Sequence, residues 1–203
     1  PIGVVSIITP WIFPFLIVSL KLPFALAAGG TAVIKPSEMT PSTTVIMGEL
    51  LIEAGIPAGV VNIVLGFGDP VGTAMTRDRR VDMVTFTGST GVGKAIVKAA
   101  SATLKKVSLE LGGKNPQVIF PDADLESAAD AVAFGVYFNA GECCNSGSRI
   151  IVHEDIADAF VARTIALSRK VPFGDQLAPS TKVGAIITPE HQIGRASSRE
   201  KME

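Results

Sequence analysis

Two short stretches of this 203-residue chain carry groups able to do covalent chemistry. Glu110 lies in Leu109-Glu110-Leu111-Gly112-Gly113-Lys114-Asn115-Pro116, and Cys144 in Phe138-Asn139-Ala140-Gly141-Glu142-Cys143-Cys144. A carboxylate in one glycine-flanked turn and a thiol in another suit covalent thiol catalysis. The thiolate attacks, and the carboxylate then activates the water that releases the product. Taken singly, each motif has a plainer reading. The Glu110 segment also reads as a strand ending in a Gly-Gly turn, and Cys144 as an inert buried thiol, since free cysteine packs like a small hydrophobe.

In their order and separation the two motifs closely resemble the aldehyde dehydrogenase superfamily. The resemblance implies NAD(P)-dependent oxidation of an aldehyde to a carboxylate through a cysteine hemithioacetal and thioester. It gives Cys144 the nucleophile's place and Glu110 the role of general base for thioester hydrolysis. Residue chemistry alone does not separate Cys144 from Cys143. The thiol's pKa must be lowered, and backbone N–H groups or the positive end of a helix can do that.

A second pair of segments points to the cofactor. Phe86-Thr87-Gly88-Ser89-Thr90-Gly91-Val92-Gly93 reads as strand, glycine turn and helix start. Such a turn lets backbone N–H groups approach an anion. Its spacing is G-x-x-G-x-G, not the usual dinucleotide fingerprint. The family resemblance brings Gly88, Ser89 and Gly93 to the cofactor pyrophosphate. Val33-Ile34-Lys35-Pro36-Ser37-Glu38 ends a strand with a cation and a carboxylate. By resemblance Lys35 donates to the adenosine ribose and Glu38 accepts from it. A carboxylate there repels a 2′-phosphate, so NAD is expected, with NADP possible. Ser37, Leu111 and the single tryptophan, Trp11, complete the expected cofactor set. Without the resemblance, Lys35 and Glu38 read as a solvated surface turn, and a lone tryptophan reads as core.

One residue departs from the family. In Pro10-Trp11-Ile12-Phe13-Pro14, Ile12 stands where the resemblance expects an asparagine that holds the oxyanion. Ile12 cannot donate a hydrogen bond, and one missing oxyanion donor costs on the order of 10²–10³ in rate. A non-catalytic dinucleotide-binding pseudoenzyme is therefore an alternative. A CoA-acylating relative is another, although Glu110 argues for water as the acyl acceptor. A Cys–His thiol hydrolase fits poorly: His153 follows the strand after the cysteine turn, as much as ~30 Å along an extended path, and His191 stands next to the atypical tail.

The elements that must position these groups alternate. Gly3–Ile8, Thr31–Lys35, Val60–Leu65, Val81–Thr87 and Lys106–Leu111 read as strands. Between them, Phe13–Ala28 reads as a buried helix, Thr40-Pro41 as the cap and first turn of a helix to about Ala54, Pro70–Arg77 as a short helix, and Gly91–Ser101 as a fourth. This is the pattern of an α/β, doubly wound, mainly parallel Rossmann-like sheet. A second α/β unit is expected to begin near Gly112-Gly113. It has a strand at Pro116–Phe120, a helix at Leu125–Asn139 capped by Asp124, a strand at Arg149–Val152 and a helix from about Asp155 to Arg169. The expected organisation is residues 1–112 for cofactor, 113–192 with the nucleophile, and 193–203 as a non-native or divergent tail, because that stretch is polar and lacks apolar periodicity.

Composition limits the remaining options. The chain is 47% hydrophobic and 18% charged, below the usual charged share of about 25%. That fits a piece of a larger protein, as does a first residue of Pro1. A net charge of −1 offers no field for nucleic acid or anionic lipid. The only two cysteines are adjacent, so no disulfide framework is expected, and a reducing, cytoplasmic compartment is. No metal site is expected from two histidines and two neighbouring cysteines. Lys21 and Pro23 interrupt the apolar N-terminal run, which argues against a membrane span. The expected partner is a small aldehyde, and a homo-oligomer is expected for the full-length protein. Because family sequence is expected on both sides of this chain, the chain alone is not expected to turn over.

Overall fold

The alternating apolar segments become a parallel sheet in the computed structural model, which describes residues 1–191. The chain forms two compact units, dividing between Gly112 and Gly113.

The first unit is built on five strands: β1 (Val4–Ile8), β2 (Thr31–Lys35), β3 (Val61–Ile63), β4 (Met83–Gly88) and β5 (Lys106–Leu111). Their order across the sheet is β3-β2-β1-β4-β5, and every pairing is parallel. The chain grows outward from β1 in one direction, then returns to β1's other side with β4. The sheet is thus doubly wound, as the alternation predicts, and its order reverses between β1 and β4.

The strands' two-residue period sorts their side chains onto two helical layers. Val5, Ile7, Ala32 and Ile34 meet Val18 and Leu22 of α1 (Pro14–Ala27) and Met47 of α2 (Ser42–Glu53). Ile8, Val84 and Phe86 meet Met75 of α3 (Thr73–Arg77) and Ile96 of α4 (Thr90–Ala100). Burying these β-branched runs on both faces is what a parallel sheet requires.

Two local expectations are corrected. Helix α1 is not buried all round: Val18 and Leu22 are enclosed, but Phe15, Leu16, Leu20 and Phe24 on its other side are exposed, Phe24 by 74%. Packing one face against β1 and β2 does not cover the opposite face of a helix that carries large apolar side chains on both sides. Thr40 does not cap α2. Its hydroxyl donates to the Trp11 carbonyl at 3.1 Å, and Pro41 precedes the helix without a side-chain cap. That bond ties the segment after β2 to the segment after β1, at the carboxyl edge of the sheet.

In the second unit, β6 (Pro116–Ile119) and β7 (Arg149–Val152) pair in parallel. Helices α5 (Leu125–Tyr137) and α6 (Ala157–Ser168) close a small core around Ala129, Val132 and Phe160. Asp124 caps α5, its carboxylate accepting from Ser127 N at 2.8 Å. The atypical stretch from Ile193 onward lies outside the described residues.

Candidate active site

The carboxyl ends of β1, β2 and β4 open onto a cleft of ≈ 470 Å³ in the first unit. It stands where the strand order reverses, the place where open α/β sheets bind ligands. Thr9, Trp11, Lys35, Ser37, Glu38, Gly88 and Ser89 line it. Six of these are expected cofactor residues, brought together from three loops. Gly93 and Leu111 are not among the lining residues. They lie against each other instead: a Cβ on Gly93 would stand 2.8 Å from Leu111 Cδ2.

Lys35 is 3% exposed, and two of its three N–H donors are taken. Its Nζ donates to the Pro36 and Gly66 carbonyls at 2.8 Å each and faces Glu38 Oε2 at 3.7 Å. An ammonium has three donors. Two carbonyls fix the head group, so its charge stands at a defined point beside the exposed carboxylate. Ser89 is the N-cap of α4 and turns the chain from β4 into the helix, its hydroxyl accepting from Val92 N at 3.4 Å. The first N–H groups of α4 belong to a helix terminus without intrahelical partners, so this end of the cleft favours an anion.

Thr9 Oγ1 and Thr87 Oγ1 are buried and make no hydrogen bond among the described residues. A buried hydroxyl without a partner carries a desolvation cost. Two of them at the carboxyl ends of adjacent strands fit a cleft that takes a polar ligand.

Glu110 lies on β5, exposed, in register with Thr87 of β4. Its electrostatic neighbour is a lysine that no sequence motif marks. Lys21 projects from α1, half-buried, and donates to Thr85 Oγ1 at 2.8 Å. Burial lowers its pKa, and the Glu110 carboxylate raises it in part. In the sequence the signal is the one cation of a largely apolar helix, at the point where it interrupts the apolar run. Ile12 is half-buried and precedes Phe13, whose φ of 45° is left-handed. This sharp turn lets Pro14 begin α1, where proline's missing N–H costs nothing.

In the second unit, the two thiols are distinct. Cys143 Sγ donates to Asn145 Oδ1 at 2.7 Å. Among the described residues Cys144 Sγ makes no hydrogen bond. The Cys144 backbone, by contrast, is held: Asn115 Nδ2 donates to its carbonyl at 2.9 Å and to that of Ser146 at 3.3 Å. Gln117 Nε2 donates to the Gly147 carbonyl at 3.0 Å, and Ser146 Oγ to that of Gly135 at 2.9 Å. Asn115 and Gln117 were not singled out from sequence. The signal was two amides at alternate positions where β6 begins, Asn115 just before the strand and Gln117 within it. A fixed backbone around an unengaged thiol is a suitable arrangement for a nucleophile.

His153 accepts from Asp155 N through Nδ1 at 3.3 Å, and so serves the turn into α6. No group of three or more His, Cys, Asp or Glu able to hold a metal occurs among the described residues. No helix among them is long and apolar enough to cross a membrane.

A family model described as the aldehyde dehydrogenase family matches residues 1–198. Betaine aldehyde dehydrogenase of Bacillus subtilis (strain 168) is 46% identical over 192 residues, covering 95% of this chain and 39% of that protein. Aldehyde dehydrogenase 1A1 of Gallus gallus is 49% identical over 191 residues, 94% of this chain and 38% of that one. Among solved structures, an NAD-dependent aldehyde dehydrogenase from Sinorhizobium meliloti superposes with a TM-score of 0.95 at 54% identity, over 97% of this chain and 39% of that chain. A betaine aldehyde dehydrogenase from Staphylococcus aureus, in complex with NAD+, gives 0.94 at 44% identity over 98% and 40%. The chain spans about two-fifths of the length of the relatives it matches.

Proposed function

Because this chain belongs to the aldehyde dehydrogenase family, we propose that it carries the cofactor cleft and the nucleophile of an NAD-dependent oxidoreductase that converts an aldehyde to a carboxylate. The observation that carries the reading is the cleft at the β1/β4 reversal, with Lys35 and Glu38 at one edge and the Ser89 helix start at the other.

NAD, when bound, supplies the acceptor for the hydride that the aldehyde carbon gives up. Lys35 and Glu38 hold the adenosine ribose, and Gly88 and Ser89 with the start of α4 meet the pyrophosphate. The buried hydroxyls of Thr9 and Thr87 support a polar occupant of the cleft. Glu38 disfavours a 2′-phosphate, so NAD is taken in preference to NADP.

Cys144, as thiolate, adds to the aldehyde carbon and forms a hemithioacetal. After oxidation the acyl group remains on its sulfur as a thioester. Glu110 removes a proton from water, which attacks the thioester and frees the carboxylate and the thiol. The Cys143–Asn145 bond supports this choice between the two thiols, because it occupies the other S–H. By the family resemblance the oxyanion would take the backbone N–H of the nucleophilic cysteine as one donor, and Ile12 has no side-chain donor to add.

The relatives' activity belongs to chains of which this one covers about two-fifths, so we expect no turnover by the 203 residues alone. A homo-oligomer and a reducing, cytoplasmic setting for the whole protein belong to the same proposal. Calorimetric titration of the chain with NAD and NADP tests it. Binding of NAD, tighter than NADP and lost in Lys35→Met, is the expected result. Equal and weak binding of both, unchanged by the substitution, overturns the cofactor assignment.

Ile12 favours a second reading, a cofactor-binding relative without catalysis. In a full-length homologue, grafting residues 1–192 decides between them. NADH formation from an aldehyde, abolished by Cys144→Ala, supports the enzyme, and NAD binding without turnover supports the alternative.

A further inference from the structure

The turn that leads into Cys144 carries two costs close together. Asn139, Ala140 and Gly141 have φ of 51°, 57° and 69°, three left-handed residues in succession. For a residue with a Cβ this conformation is strained, more for Ala140 than for Asn139, and such backbone persists only where its surroundings over-determine it. The next residue, Glu142, is a carboxylate only 9% exposed. A buried carboxylate is expensive unless its oxygens are hydrogen-bonded.

Glu142 meets both requirements through its contacts. Its Oε1 accepts from Ile187 N at 3.1 Å. His191 Nε2 stands 3.6 Å from the same oxygen, beyond ordinary hydrogen-bond length. The Glu142 backbone returns to the turn: its N donates to the Asn139 carbonyl at 2.9 Å, and its own carbonyl accepts from Asn139 Nδ2 at 2.9 Å. The carboxylate therefore joins the strained turn to a segment 45 residues further along the chain, two residues before the thiol.

We propose that Glu142 is a positioning residue for the nucleophile: its carboxylate, accepting from Ile187 N, holds the left-handed turn 139–141 in place and thereby sets the direction of Cys144. The proposal rests on the reading of Cys144 as the nucleophile. The contact lengths assign the main part to Ile187 N and the lesser part to His191. An uncharged acceptor of the same shape is then sufficient. Glu142→Gln retains the brace, whereas Glu142→Ala removes it.

Two measurements on the 203-residue chain test this, with Glu142→Ala and Glu142→Gln compared against the parent. The first is amide hydrogen exchange over residues 139–144 and 185–189. We expect Glu142→Ala to lose protection in both segments together and Glu142→Gln to keep it. Unchanged protection in Glu142→Ala overturns the brace, and equal loss in both variants overturns the role given to the acceptor. The second is the rate of iodoacetamide labelling at each cysteine, resolved by peptide mass spectrometry. We expect Cys144 to label faster than Cys143 in the parent, to slow about tenfold or more in Glu142→Ala, and to recover in Glu142→Gln. A parent in which Cys144 labels no faster than Cys143 removes the nucleophile reading and the positioning role with it, and the exchange data still report whether the brace exists. A parent with fast Cys144 labelling that survives Glu142→Ala overturns the positioning role alone.

Discussion

Lys21, the one cation of α1, donates from Nζ to Thr85 Oγ1 at 2.8 Å, inside the layer between helix and sheet. Burial pushes its pKa down, and the carboxylate of Glu110 pushes it partly back. A lysine whose folded pKa lies below its unfolded value of about 10.4 binds its proton less firmly when folded. The fold is therefore penalised at neutral pH, and the penalty is relieved as pH rises through the folded value. Glu110 reduces that penalty. In Glu110→Gln the Lys21 pKa is expected to fall further, and the pH at which stability begins to rise moves down with it. Titration of a 13C-labelled lysine side chain by NMR measures this directly. A Lys21 midpoint that stays put or rises in Glu110→Gln shows that the Glu110 charge does not support the lysine's proton.

Ile12 makes a prediction about rate rather than binding. The family resemblance expects an oxyanion donor at this position and the side chain offers none; supplying one at such a position is worth on the order of 10²–10³ in rate, about 3–4 kcal/mol. Ile12→Asn, within residues 1–192 grafted into a full-length homologue, should raise the acylation rate by that order and leave NAD affinity unchanged. Single-turnover measurement of NADH formation reads the acylation step. An unchanged rate means that the backbone N–H at Cys144 already suffices.

Gly93 lets α4 approach β5 closely. A Cβ placed there stands 2.8 Å and 3.2 Å from the two Cδ atoms of Leu111 and 3.6 Å from Leu109 Cδ1. The first two contacts are tight, but they fall on the ends of flexible side chains. For Gly93→Ala the helix-propensity gain of about 1 kcal/mol opposes the cost of moving Leu111, so a change smaller than about 1 kcal/mol is expected. Valine adds two further carbons to a filled space, and overpacking of this kind costs roughly 1–3 kcal/mol. Urea denaturation of both variants gives the comparison. If valine is tolerated as well as alanine, α4 and β5 are less closely packed than these distances require.

The sheet was legible in the sequence because its strands are short β-branched runs bounded by Gly and Pro. Thr31–Lys35 and Lys106–Leu111 match their predicted limits to the residue. Hydrophobicity did not reveal which face of α1 is enclosed, since Phe15 and Phe24 are as apolar as Val18 and Leu22. Thr40 shows another limit of local reading. Thr-Pro is a sound cap signal, but a carbonyl 29 residues back, on Trp11, offered the hydroxyl a better partner. At the cleft, Trp11, Lys35, Glu38 and Ser89 were named from the family resemblance; local chain geometry alone marked only the glycine turn and helix start around Ser89. Asn115, Gln117 and Lys21 were missed because their partners, the Cys144 and Gly147 carbonyls and Thr85, are 29, 30 and 64 residues away. No spacing rule joins residues so far apart.

Asp124 was a cap that local sequence did predict, and it yields a pH test for the second unit. Its carboxylate accepts from Ser127 N and begins α5, the helix that leads to the cysteine turn. The bonds from Ser127 hold its pKa below the ordinary value, which is about 3.9. A carboxyl with a depressed folded pKa stabilises the fold above the unfolded pKa and loses that contribution as pH falls through the folded one. Asp124→Ala should therefore lower the melting temperature at pH 7 and make little difference near pH 2. Asparagine caps helices as well as aspartate does and does not titrate, so Asp124→Asn should melt close to the parent at pH 7 and depend less on pH below about 4. Thermal melts followed by far-UV circular dichroism from pH 7 to pH 2 provide the measurement. A parent and an Asp124→Asn variant with the same pH dependence would show that ionisation at Asp124 adds nothing to the start of α5.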